Sequence, residues 1–354
     1  MPPRRRKRLD ASAFALPIDE LRAGTFTDPT ARLTRDVLLA DARAPIVTMQ
    51  IVAESAGVLC GVDEALAMLR GALDDWGAIT VHALYDGDRI EAGEAVLTIE
   101  GELPRFAHLA PLCLGVLSRR TRIATNARAL SEAARPKPVM MLPARGDHWV
   151  VQQGDVMAAQ LGGMRLLDGL TPPGVRGMSP LLLVPHALVA AYGGDTGAAV
   201  RACDAHSGAD LRLVVPVDYD NDAVSTSLAV ARTQEARIWG VQLATSERLV
   251  DRSIIPQMGA FVPTGVNAPL VWNVRNALDA EGFGAVRILV SGTFTLERIR
   301  AFEEDGVPAD AYGVGTALTA GRFGFAADVV MRDGQPQTRV GGGARPTARL
   351  DRVR

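Results

Sequence analysis

The sequence predicts an α/β chain whose second half runs as parallel strands and crossover helices in a (β/α)-barrel arrangement, preceded by a small β-rich module. Three observations carry that prediction. From Pro138 onward, strand-like apolar runs alternate with amphipathic stretches, and parallel neighbours need such long return connections. Two glycine-bearing strand ends, Val290-Ser291-Gly292-Thr293 and Tyr312-Gly313-Val314-Gly315-Thr316, each follow an apolar run and lead into a segment that can start a helix. Between Ala78 and Gly101 the pattern changes to closely spaced turn signals, Asp86-Gly87-Asp88 and Glu91-Ala92-Gly93-Glu94.

In chain order, the basic run Arg4 to Arg8 beside Pro2 and Pro3 has no interleaved aromatics and reads as a solvated, disordered tail. Residues 26 to about 75 carry helical periodicity around Val58-Leu59-Cys60-Gly61 and Ala65 to Leu69. Leu109 to Ala134 reads as one or two helices, closed by Pro136 and Pro138. Strand-like runs follow at Val139 to Leu142, Leu211 to Val217, Ile238 to Leu243 and Val286 to Val290. Amphipathic stretches at Ala223 to Ala236, Pro269 to Ala280 and Leu296 to Glu304 separate them.

Composition narrows the function classes. The 354 residues are 48% hydrophobic, enough to bury a large core, and the formal charge of -2 supplies no positive field for nucleic acid or an anionic membrane. No transmembrane-length apolar run occurs. Cys60, Cys113 and Cys203 sit apart in apolar surroundings, as thiols do in a reducing cytoplasm. The histidines are equally scattered, which argues against a structural metal.

Several residues could carry chemistry. Polar groups at the strand C-terminal ends converge on the face where a barrel places its active site. The glycines at 292, 313 and 315 either let backbone N–H groups reach an oxyanion or merely turn tight corners. Asp218 and Asp220, after a strongly apolar strand, suit Mg²⁺ held through water and substrate oxygens, or belong to a helix-capping cluster with Asn221 and Asp222. His186 lies in apolar Val184-Pro185-His186-Ala187-Leu188 and reads as a core residue or a catalyst. Arg145 and His148 form a compact polar cluster, fit for an anion or for a surface ion pair with Asp147. Arg119, Arg120 and Arg122 present either guanidinium groups to an anion or a solvated helix face.

The order of segments resembles the nicotinate phosphoribosyltransferase family. The blocks are Phe26-Thr27-Asp28, the module at Asp86-Gly87-Asp88, Ser118 to Asn126, Pro143-Ala144-Arg145, Pro185 to Leu188, Val217 to Asp222, Trp239-Gly240-Val241, and the two glycine-bearing ends. The resemblance implies an irregular, TIM-like (β/α) barrel over 136–330 and a smaller N-terminal α/β domain over 25–135. A basic disordered tail, 1–24, precedes them, and a C-terminal tail, 331–354, is free to pack back on the N-terminal domain. It further implies a cytoplasmic homodimer that joins nicotinate to 5-phosphoribosyl 1-pyrophosphate, giving nicotinate mononucleotide for NAD biosynthesis, with Mg²⁺ and with ATP coupled through a phosphorylated histidine. On that pattern His186, Asp218 and Asp220 are catalytic and Asp218 binds Mg²⁺. Phe26, Thr27, Arg120, Thr121, Arg145, His148, Ser291, Gly292, Gly313, Gly315 and Thr316 contact substrates, Arg145 through the pyridine carboxylate.

The chain also departs from that pattern. Pro29 and Thr30 replace basic and aromatic residues, Gly146 a histidine, Leu182-Leu183 a Gly-Thr pair, Thr293 a glycine, and Gln242 and Ala244 an arginine and an aspartate. These losses fall at ligand-facing positions, the reverse of drift in a working enzyme. A second reading follows, a diverged paralog that keeps the fold and binds a phosphoribosyl compound without the parent activity.

Overall fold

A computed structural model describes residues 7–142, 147–167, 180–233 and 237–354. The chain divides into two compact units, Met1–Thr125 with Gly321–Arg354, and Asn126–Ala320.

The first unit opens with helices α1 (Ile18–Ala23) and α2 (Pro29–Ala40), then β1 (Ile46–Ala53), β2 (Gly57–Val58), α3 (Val62–Ala72), β3 (Ile79–Ala83), β4 (Arg89–Ile90), β5 (Ala95–Glu102), α4 (Leu103–Phe106) and α5 (Ala110–Ala133). Two expectations fail here. The disordered tail does not extend over 7–24, because Arg8 docks on the buried Asp63 carboxylate at 3.0 Å and lies over the Tyr85 ring at 4.2 Å. The helical reading of 26 to 75 also breaks, since 46–53 is a strand and α3 begins only at Val62. Ile46, Val47, Thr48, Ile51 and Val52 are β-branched, and sheet pairing with β5 outweighs the helical spacing around them.

The start of α3 is fixed from a distance. Gly61 takes φ +99° and brings no side-chain cap, and Asp86 accepts from Val62 N at 2.8 Å instead. Burial, with the neighbouring Asp63 charge, pushes the Asp86 carboxyl up to about 7. His108 is buried between α4 and α5, where burial and then the Arg35 charge push its imidazole down to about 4.

The second unit alternates strands and helices: β6 (Val139–Met141), α6 (Trp149–Leu161), β7 (Arg165–Leu166), β8 (Leu181–Leu183), α7 (His186–Ala191), α8 (Thr196–His206), β9 (Arg212–Pro216), α9 (Ala223–Ala231), β10 (Ile238–Leu243), α10 (Ala268–Ala280), β11 (Arg287–Val290), α11 (Leu296–Glu304) and β12 (Ala311–Val314). Its sheet order is β7-β6-β12-β11-β10-β9-β8, with parallel pairing throughout. Except at the break between β7 and β8, the two edges of the sheet, each strand lies beside its sequence neighbours, and the last, β12, pairs with the first, β6, through Tyr312 and Val139. That wrap-around is the topology of a TIM-like barrel. Met140, Leu181, Val214, Leu289 and Ala311 form a buried cluster within it.

The chain then returns to the first unit. Strands β13 (Phe325–Arg332), β14 (Gln335–Pro336) and β15 (Asp351–Arg352) complete an antiparallel sheet of order β14-β13-β1-β5-β3-β15. Gln50 ties the 345 loop to that sheet, donating to Arg345 O at 3.1 Å and accepting from Arg345 N at 2.7 Å. Among the described residues, no helix is long and apolar enough to cross a membrane.

Candidate active site

Parallel strands bring their C-terminal ends to one side of the barrel sheet, and the polar residues of the second unit gather there. Leu183, the last residue of β8, lies opposite Val214 of β9, so the residues following both strands meet. The chain leaves β8 through extended Pro185 and enters α7 at His186. Asp218 follows β9, anchored by Val217 N donating to Gln242 O at 3.1 Å. His186 Nε2 and Asp218 Oδ1 are 3.0 Å apart, with the imidazole 44% exposed and the carboxylate 13%. A mostly buried carboxylate that holds a solvent-facing ring fixes its orientation.

Asp220 does not join that pair. Asn221 takes φ +54° and donates to Asp218 O, and this turn leaves Asp220 exposed while Asp222 caps α9 through Ser225 N.

The next corner, after β10 and β11, is built differently. Buried Gln242 donates from Nε2 to Ser291 Oγ at 2.8 Å, and its Oε1 has no partner among the described residues. The buried Thr245 hydroxyl is likewise unpartnered. With Ala244 beside them the strand end is neutral, but the following loop is not. Glu247 Oε1 accepts from Arg298 Nη1 at 2.8 Å and from Thr293 Oγ1 at 2.5 Å. Burial raises the Glu247 carboxyl, yet these bonds hold it below its ordinary range. Glu247 and Arg298 are the residues that sequence reasoning missed.

Gly292 takes φ +107°, a conformation that costs an L side chain strain. The N–H groups of Gly292, Thr293, Gly315 and Thr316 have no backbone acceptor among the described residues. Gly315 leads into a short 3₁₀ turn, Thr316–Thr319. Four open donors at neighbouring strand ends suit an oxyanion. Gly313 has another explanation, since a Cβ there would lie 2.8 Å from Leu142 Cδ1.

The remaining candidates stand apart. Arg145 and Gly146 lie outside the described residues. His148 caps α6, its Nδ1 accepting from Val150 N at 3.2 Å. In the first unit, Phe26 is exposed and Thr27 half-buried just before α2, where Asp28 caps the helix and Pro29 and Thr30 open it. Arg120 grips Glu64 through Nε and Nη2 at 2.8 and 3.1 Å, and the buried Thr121 hydroxyl bonds both backbone groups of Cys60. Among the described residues, no group of three or more His, Cys, Asp or Glu is arranged to hold a metal.

Residues 28–121 match the family described as quinolinate phosphoribosyl transferase, N-terminal domain. Over the whole chain, the nicotinate-nucleotide pyrophosphorylase of Pyrococcus furiosus superposes with a TM-score of 0.78 at 25% identity, covering 98% of this chain and 86% of that one. Residues 28–121 thus resemble that N-terminal domain, and the whole chain shares the fold of the pyrophosphorylase. A nicotinate phosphoribosyltransferase of Mycobacterium tuberculosis is 27% identical over 259 residues, 71% of this chain and 53% of that protein, so this chain spans about half the length of that relative. Human nicotinic acid phosphoribosyltransferase, at 16% identity, shares the fold with a TM-score of 0.63, covering 90% of this chain and 77% of that one.

Proposed function

We propose that this chain transfers a phosphoribosyl group from 5-phosphoribosyl 1-pyrophosphate to nicotinate or a related carboxylated heteroaromatic, giving a mononucleotide and pyrophosphate for NAD biosynthesis. The observation that carries the reading is the His186–Asp218 contact on the strand-end side that also bears the open N–H groups of Gly292, Thr293, Gly315 and Thr316. The names of the mycobacterial and human relatives support nicotinate as the base.

The N–H groups hold the 5-phosphate and so place C1 of the ribose toward His186 and Asp218. Asp218 orients the His186 ring, which accepts the phosphoryl group if ATP is coupled. Arg145 takes the carboxylate of the base. The donors fit Mg²⁺: one Asp218 oxygen remains outside the His186 bond, Asp220 is exposed, and Mg²⁺ keeps several waters. When bound, Mg²⁺ would offset charge on the departing pyrophosphate while the ribose gains oxocarbenium character.

The working form is a cytoplasmic homodimer. Helix α2 buries none of its residues, and Leu33, Val37 and Leu39 are 62%, 50% and 62% exposed, which suits cover by a second copy.

The test is an assay with nicotinate, phosphoribosyl pyrophosphate and Mg²⁺, with and without ATP, following pyrophosphate and mononucleotide together. Equal formation of both supports transfer. The second reading, a diverged paralog, is favoured by the Gln242 amide bonded to Ser291 and by the Glu247 carboxylate near Gly292. Tight binding of ribose 5-phosphate without turnover would select it.

A further inference from the structure

Beside Gly292 an oxyanion already sits where a phosphorylated ligand would approach. Glu247 Oε1 accepts from both Thr293 Oγ1 and Arg298 Nη1, and it lies 4.0 Å from the position a Cβ on Gly292 would take. Arg298 is held independently of this carboxylate, by Val266 O at 2.5 Å and by the Phe294 ring beneath it at 4.6 Å. The carboxylate has a fitted seat as well, since a Cβ on Gly265 would lie 2.5 Å from Glu247 Oε2. Glu247 itself stands on an exposed loop past β10, with solvent on its outer side.

We propose that Arg298, Thr293 and the Gly292 N–H form an anion site for the phosphate of a phosphorylated sugar, and that Glu247 is its internal competitor, displaced when the ligand binds. A carboxylate and a phosphate cannot share the same donors without strong like-charge repulsion, so Glu247 sets the affinity of the site. The inference rests on the phosphate-binding reading of these strand ends and adds two residues to it.

The test is calorimetric titration of the full chain with ribose 5-phosphate and with inorganic phosphate, with and without Mg²⁺. Glu247→Gln keeps the shape and removes the charge, and should tighten ribose 5-phosphate roughly tenfold. Gly265→Ala leaves Glu247 in the chain but crowds its seat, and should tighten binding in the same direction. Adding Arg298→Met to Glu247→Gln should remove the gain. Equal or weaker binding by Glu247→Gln, while the wild type binds, overturns this inference alone. A loss seen only with Mg²⁺ would make Glu247 a metal ligand and overturns it too. Collapse of the Glu247→Gln melting temperature, with Gly265→Ala folded and binding no tighter, makes Glu247 a structural clamp and rejects the competitor role. Absence of binding by the wild type and both single variants overturns the phosphate-binding reading together with the inference.

Discussion

The two units use the same residue types for opposite purposes. In the sheet unit, charged and hydroxyl groups are buried or half-buried against partners: Arg120 grips Glu64, Thr121 bonds Cys60, and Asp86 caps α3 from another loop. In the barrel unit, His186 and Asp218 meet at a strand end, with the ring 44% exposed. Removing the buried Arg120 strands its carboxylate partner, whereas removing the exposed His186 ring leaves a place that water can take. Stability and chemistry should therefore separate along the division between the units.

The largest expected effect tests the barrel side. His186→Asn should lower turnover roughly 10² to 10⁴-fold, while unfolding free energy stays within about 0.5 kcal/mol. Steady-state rates beside urea melts measure both, and unchanged turnover with lost stability would invert the comparison. Arg120→Met tests the sheet side. It leaves the mostly buried Glu64 without its guanidinium partner, and should cost about 3–5 kcal/mol, most of it recovered by adding Glu64→Leu.

A smaller effect depends on pH. The His108 imidazole is pushed down to about 4, below its unfolded value, so between those values the unfolded chain binds the extra proton. Stability is therefore intact above the unfolded value and declines as pH falls toward 4, by about 2 kcal/mol between pH 7 and pH 5. His108→Leu should flatten that part of the profile in urea titrations. The smallest effect concerns the neutral strand end. Gln242→Arg with Ala244→Asp should raise nicotinate conversion from a feeble level by a few fold, on the order of 1 kcal/mol in the barrier. If the native chain already turns over at roughly 1 to 1000 per second, Glu247 and Arg298 compensate for that corner.

Legibility followed the range of the forces involved. β10 and α11 were readable to the residue because an apolar run and an amphipathic period each finish within one element. β1 was not, since its identity depends on β5 and β13, and β13 lies on the far side of the barrel in sequence. Likewise nothing near Gly61 announces that Asp86 will cap α3. At the candidate site, the carboxylate after β9 and the glycine ends were visible as strand-end chemistry. His186 stood out only through the resemblance, because its partner comes from the neighbouring strand. Glu247 and Arg298 gave no signal, as their meeting requires two loops and the start of α11 to fold together.

The wrap-around pairing of β6 with β12 has a consequence for synthesis. It brings the entry and exit of the barrel unit side by side, so the barrel is an insertion in the sheet unit whose two ends meet. During translation β1 already has β5 on one edge, but its other edge waits for β13, after the entire barrel has been made. The barrel is thus positioned to fold on the ribosome while an unpaired strand edge persists upstream. That interval is where a chaperone, or a neighbouring nascent chain, has its opportunity to bind.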